Sequence, residues 1–233
     1  MKIIKNEKLI KRNGRIGQWI SMAALAVLGA GMYISFTNPS NPQMFTYSMT
    51  ALVLGFILTQ IGMYMGNRWG RSPRPDENLD AGLKGLPGDY TIYHFVTPAS
   101  HLLVGPAGIW ALIPYRQRGI VTYTKNRWRV GKGGALQTYM SIFGQEGIGR
   151  PDMEAEGEIN EMRKLLAKSL SENEIPLIQA ALIFMNEPVE IQAEGAPIPV
   201  MKLKHLKDFL RQKAKERPIS QTQLVAVKTA LPQ

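Results

Sequence analysis

The sequence predicts an α/β domain, a mixed sheet flanked by helices, preceded by a transmembrane α-hairpin. Three observations carry that expectation. Residues 16–36 and 44–66 are two long stretches without a charged side chain. Residues 101–119, HLLVGPAGIWALIPYRQRG, hold two short apolar runs joined by Gly105-Pro106-Ala107-Gly108. After them, amphipathic helical patterns alternate with short apolar runs, the pattern of a sheet covered by helices.

The first 15 residues carry Lys2, Lys5, Lys8, Lys11, Arg12 and Arg15 against a single acid, Glu7. Residues 16–36 then suffice, as a helix, to cross roughly 30 Å of hydrocarbon. The segment TNPSNPQ, residues 37–43, reads as an uncharged turn, and residues 44–66 as a second span. Arg68, Arg71 and Arg74 follow. Basic outer flanks around a neutral loop place both ends on the cytoplasmic side. A cleaved signal peptide has a shorter apolar core, and the second span follows at once, so an anchor is the default reading. Small residues, among them Gly29, Gly31, Gly55, Gly62 and Gly66, let helices approach closely. They make a homo-oligomer through the hairpin a candidate assembly. No ionisable group lies inside either span, which argues against ion or proton transport through them.

The expected divisions are a basic N-terminus (1–15), the hairpin (16–66), a stiff linker containing RSPRP (67–75), the α/β domain (76–216) and a tail or short helix (217–233). Within the domain, Leu79, Leu83 and Leu86 suggest a first helix, and residues 90–96 a strand. The Gly-Pro-Ala-Gly turn suggests a buried β-hairpin, with a further strand over 119–124. Residues 154–170 form an amphipathic helix with acids at its start. Short strands are expected in 175–185, 189–191 and 198–201, then a helix over 202–216 and a last one capped by Ser220.

The 233 residues carry a formal charge of +10 and a pI of about 9.8. A basic balance fits nucleic acid, anionic lipid or an acidic protein. Cysteine is absent, which excludes disulfides, thiolate metal sites and a cysteine nucleophile. Three scattered histidines do not suggest a histidine zinc site. Walker, dinucleotide-binding, GxSxG and HExxH motifs are missing, and Gly131-Lys132-Gly133-Gly134 is too short for a phosphate loop.

At the central hairpin the chain resembles the NERD family, nuclease-related domains similar to the restriction-endonuclease-like fold. The frame consists of residues 102–104, Gly105-Pro106-Ala107-Gly108, Ile109-Trp110 and Gly119, with Glu77 upstream and Trp128 downstream. The resemblance spans about residues 76–215 and implies a metal-dependent nuclease fold. The implied chemistry does not transfer. Ser100 stands at the family's first acid, Ile113 at its glutamate and Tyr115 at its lysine. Carboxylates are needed to hold Mg²⁺, and the lysine to supply fixed positive charge. Glu77, Asp89, His94, His101, Glu146 and Glu154 are the available substitutes, with Glu77 and His101 the residual catalytic candidates.

The leading expectation is therefore a non-catalytic, membrane-tethered binding module that needs no cofactor. Arg116, Arg118, Lys125, Arg127, Arg129 and Lys132 could hold a phosphate backbone, with Trp128 stacking on a base or packing in the core. Two other readings stay open: a divergent Mg²⁺-dependent nuclease, and a scaffold that binds another protein. The resemblance, with no transit-type leader, implies the plasma membrane, both termini and the domain being cytoplasmic.

Overall fold

The computed structural model describes residues 1–37, 40–131 and 148–232. The chain divides into two compact units, one formed by residues 7–74 and the other by residues 1–6 with 75–233.

The first unit is a pair of helices, α1 (Glu7–Thr37) and α2 (Pro42–Met65), followed by a π-helical turn, Gly66–Gly70. Asn41 caps α2, its side chain accepting from the amides of Gln43 and Met44, and Pro42 fills the first turn where no amide is needed. Both helices are long and apolar enough to cross a membrane. Their lengths correspond to about 46 and 36 Å.

The contact between them follows a seven-residue repeat. Ile10, Gly17, Ala24 and Gly31 are the buried residues of α1, and Ser48, Gly55 and Gly62 those of α2. Such a repeat keeps one stripe of each helix facing the other. A Cβ at Gly62 would sit 2.5 Å from Ser21 Oγ, and one at Gly17 2.6 Å from Met65 Cβ. Ser48 Oγ donates to the Gly31 carbonyl at 2.8 Å inside the contact. Gly29, expected to belong to the close-packed face, has nothing within 4 Å of its Cβ position. Gly17, Gly31, Gly55 and Gly62 are spent within the hairpin, whereas Ala23, Ala26, Gly29 and Ala30 stay exposed.

The second unit is a mixed α/β structure. Its main sheet has six strands: β1 (Lys2–Lys5), β2 (Thr91–His94), β3 (His101–Gly105), β4 (Gly108–Tyr115), β7 (Ile178–Phe184) and β9 (Val200–Lys202), in that spatial order. Only the pairs β2–β3 and β3–β4 are antiparallel. Between β4 and β7 the chain forms the hairpin β5 (Ile120–Thr124) and β6 (Arg127–Gly131). With β8 (Glu190–Gln192) these make a second sheet in the order β6-β5-β8. The helices are α3 (Pro75–Leu83), α4 (Pro151–Leu166), α5 (Leu203–Glu216) and α6 (Gln221–Ala230).

The expected hairpin is present, with Gly105 opposite Gly108 across a two-residue turn, Pro106-Ala107. Gly108 has φ +102°, a conformation costly for any other residue. Trp110 Nε1 donates to the Ala107 carbonyl at 2.8 Å and so ties the turn to the strand. Alternation along β3 and β4 divides the core. Leu102, Val104, Ile109, Ala111 and Ile113 pack on the side of Met162 and Leu166 of α4. Leu103, Trp110 and Leu112 pack with Leu79 and Leu83 of α3 and Leu206 and Leu210 of α5.

Two expectations require correction. Residues 1–15 are not simply a basic flank, because β1 completes the sheet edge and α1 begins at Glu7. Pairing partners some 90 residues away leave no local trace. The linker 67–75 is largely structured, with its first half in the π-helical turn and Pro75 opening α3. Residues 125–131 are a turn and a strand. Lys125 and Asn126, at φ 51° and 56°, form a turn matched to the twist of a hairpin.

Candidate functional site

All strands of the main sheet except β3 run the same way, so the carboxyl ends of β1, β2, β4 and β7 share one edge. Open α/β sheets place their ligands at this end. Here the edge carries two polar clusters, on opposite faces of the sheet.

On the α3 face, Lys5 ends β1, His94 ends β2 and His101 begins β3. Two carboxylates one helical turn apart on α3, Asp76 and Asp80, meet them. Lys5 Nζ lies 3.3 Å from Asp76 Oδ2 and also pairs with Asp80. His94 Nε2 lies 3.0 Å from Asp80 Oδ1, an arrangement in which the ring N–H donates to the carboxylate. His94 Nδ1 and His101 Nδ1 are 2.7 Å apart. One of these two nitrogens must carry the shared proton and the other must accept it. The contact excludes a proton on both.

Asp76 and His94 have no exposed surface and His101 has 2%. Burial works to lower the Lys5 pKa, but the hydrogen bond and charge of Asp80, with Asp76, outweigh it and the net shift is upward. Phe95 follows at φ 59°, a costly conformation for an aromatic residue, and its ring stands edge-on to His101 at 4.8 Å. Its amide donates to the Ser100 carbonyl at 2.9 Å, which holds the tight β2–β3 connection.

On the α4 face lie the positions that the resemblance marks. The Ser100 amide donates to Glu158 Oε1 at 3.2 Å, and the Tyr115 hydroxyl donates to Glu154 Oε2 at 2.7 Å. Burial, then Glu154, holds the Tyr115 pKa well above the usual tyrosine value. Ile113 is buried in the core, 3% exposed. Arg116 is half-buried, its pKa lowered by that burial.

These residues do not fit the Mg²⁺ of a nuclease-like site. Glu154 and Glu158 are engaged by Tyr115 and Ser100, and Ile113 supplies no ligand atom. Among the described residues no group of three or more His, Asp and Glu side chains is arranged to hold a metal ion.

The remaining predicted residues lie on the second sheet or in the segments that lead into its strands. Lys125, Arg127, Arg129 and Arg118 are exposed. Arg127 stands opposite Thr124, and Arg129 opposite Thr122, which in turn faces Gln192 of β8. Directly paired residues share a face, so this surface carries two arginines, two threonines and Gln192, with Ile120 and Glu190 at its end, where Gln192 Nε2 donates to Glu190 Oε1 at 2.6 Å. Trp128 points the other way, 7% exposed, with its ring 4.9 Å from Tyr123. Of the two roles considered for Trp128, the buried position is that of a core side chain, and its indole offers no open stacking platform. Lys132 and Glu146 lie outside the described residues.

Glu77 sits on α3 as expected, while Asp80 meets His94 and Asp76 meets Lys5. Sequence reasoning passed over Lys5, Asp76, Asp80 and Glu158. The spacing of Asp76 and Asp80 was the available signal, while Lys5 was hidden among topology-setting basics.

Compared with protein-family models, with curated proteins and with solved structures, the chain matches none.

Proposed function

We propose that the protein is a membrane-anchored, nuclease-related domain of the plasma membrane that binds nucleic acid by its phosphate backbone and does not cleave it. Both termini and the α/β unit are cytoplasmic in this reading. The observation that carries it is the paired face of β5 and β6. Arg127 and Arg129 project side by side among Thr122, Thr124 and Gln192, with Lys125 at the turn. Guanidinium groups and hydroxyls at strand spacing suit successive phosphates, and a two-stranded ribbon is a known reading element for duplexes.

Two further observations support the anchor and its orientation. β1 precedes α1 and α3 follows α2, and both belong to the same folded unit, so the two ends of the helical hairpin lie on one side. The basic residues cluster at those ends. The absence of cleavage rests on Ser100, Ile113 and Tyr115, and on carboxylates that are already engaged.

The test uses the full chain in nanodiscs of zwitterionic lipid, with labelled single- and double-stranded DNA and RNA, with and without Mg²⁺ or Mn²⁺. Binding should weaken steeply with salt, and Arg127→Gln with Arg129→Gln should reduce the salt slope by about two. Absence of binding at low salt removes the nucleic-acid reading and leaves a protein partner. Metal-dependent cutting removes the non-catalytic one.

A further inference from the structure

The helical hairpin contains a cavity of about 600 Å³ at its charged end. It lies between the first turns of α1 and the stretch that closes α2. Its cations are Lys11, Arg15, Arg71 and Arg74, and no acid lines it. Residues 7–74 contain a single acid, Glu7, against seven basic residues.

The space exists because side chains are missing. Gly14, Gly17, Gly62, Gly66 and Gly70 form much of the lining. At Gly70 nothing lies within 4 Å of a Cβ position, and at Gly66 only Arg71 Nε is reached, at 4.0 Å. Trp69 closes one wall, 9% exposed, while Ile10 and Met63 make the lining partly apolar. Residues 11, 15 and 18 recur one helical turn apart, so Lys11, Arg15 and Gln18 present one polar stripe to the cavity.

Aromatic side chains set the level of this cavity. Trp19 and Tyr64 are exposed near this end, and Tyr33, Phe36, Phe45 and Tyr47 near the other. Exposed aromatics in two belts mark the two interfaces of a bilayer. Trp19 to Tyr33 on α1 and Tyr47 to Tyr64 on α2 correspond to about 21 and 26 Å of helix, close to the hydrocarbon thickness. The cavity therefore straddles one belt, with Ser21, Gly62 and Met63 on its hydrocarbon side and Lys11, Gly70 and Arg71 on its outer side, so its charged end reaches headgroup depth, where basic pockets between spanning helices hold anionic lipid heads.

From this geometry we propose that the cavity is a binding site for the phosphate headgroup of an anionic phospholipid. The inference rests on the membrane reading and adds to it a defined lipid site. Lys11, Arg15 and Arg71 neutralise the phosphate, Gln18 offers a polar contact, and the apolar wall receives the glycerol end of the acyl chains.

The experiment exposes the purified full chain to equal phosphatidylglycerol and phosphatidylcholine and counts retained lipid by native mass spectrometry. Phosphatidylglycerol should be retained preferentially. Arg15→Gln with Arg71→Gln should lower that retention about 30-fold, from roughly 1 kcal/mol for each basic residue at an anionic surface. Gly70→Leu should lower it with all cations kept, since it fills the space. Lys8→Gln with Arg12→Gln removes the same charge from exposed positions outside the cavity and should leave retention nearly unchanged. Equal retention of the two lipids, or equal loss in the cavity and control variants, overturns the site. Glycerol phosphate displacing the lipid at equal concentration overturns the lipid assignment in favour of a soluble anion. Failure of the chain to enter phosphatidylcholine nanodiscs overturns the membrane reading itself, and the inference with it.

Discussion

Lys5 has the largest structural consequence of any single side chain at the sheet edge. Lys5 pairs with Asp76, which has no exposed surface, and with Asp80, which orients His94. Removing one partner of a buried pair leaves the other charge less compensated. Lys5→Met should destabilise the α/β unit by about 3 kcal/mol in denaturant titration, toward the lower end for buried pairs because Lys5 keeps some exposure. The raised Lys5 pKa fixes the sign of its pH dependence. Its contribution is complete below the ordinary 10.5 and is lost as pH rises through the higher folded value. Tyr115 acts in the same direction, because its hydroxyl is kept protonated in the fold beside Glu154. Tyr115→Phe should cost about 1 kcal/mol at neutral pH and yet raise the pH at which alkaline unfolding sets in. Long-range ¹⁵N NMR should find at most one of the His94 and His101 Nδ1 atoms protonated while their 2.7 Å contact persists. Protons on both nitrogens with the contact intact would refute that arrangement.

Among the elements, the helical hairpin makes the sharpest demand on sequence. Gly17, Gly31, Gly55 and Gly62 lie where a Cβ would meet the opposite helix. Gly62→Leu should push the helices apart and cost about 1–3 kcal/mol, read by unfolding in bicelles. Gly29→Leu should be nearly neutral, because open space surrounds that position. Composition alone ranks these glycines equally, and only the pairing of the two stripes separates them. The β3–β4 hairpin was legible because its turn chemistry is local. The β5–β6 hairpin was not, because Lys125-Asn126 adopts left-handed angles without a glycine. Its register then decides that Arg127 and Arg129 share a face and that Trp128 turns inward.

For the whole molecule, the decisive feature is that the α/β unit is built from both sides of the helical hairpin. Lys2 and Asn6 donate backbone hydrogen bonds to the carbonyls of Tyr90 and His94 at 2.8 and 3.0 Å. A fragment beginning at residue 75 lacks β1, leaves β2 as an open edge and loses Lys5. Residues 1–6 joined to 75–233 by a flexible linker should melt roughly 5–10 °C above 75–233 alone. Equal melting temperatures would mean that β1 adds nothing to the sheet. The same fragment should aggregate more readily, since an uncovered strand edge is a template for pairing.

By itself the sequence determined what depends on neighbouring residues: two long uncharged stretches with basic flanks, the Gly-Pro-Ala-Gly hairpin and the amphipathic helices. Each follows from hydrophobic period, charge or turn preference over a short window. Tertiary structure alone decided which distant groups meet. It joined Lys5 to Asp76 and Asp80 across the whole helical hairpin, set His94 against His101, and turned Trp128 into the core. It also chose which glycines face a partner helix and which line a cavity. Strand pairing and helix contact join residues far apart in the chain, and no local pattern encodes the partner.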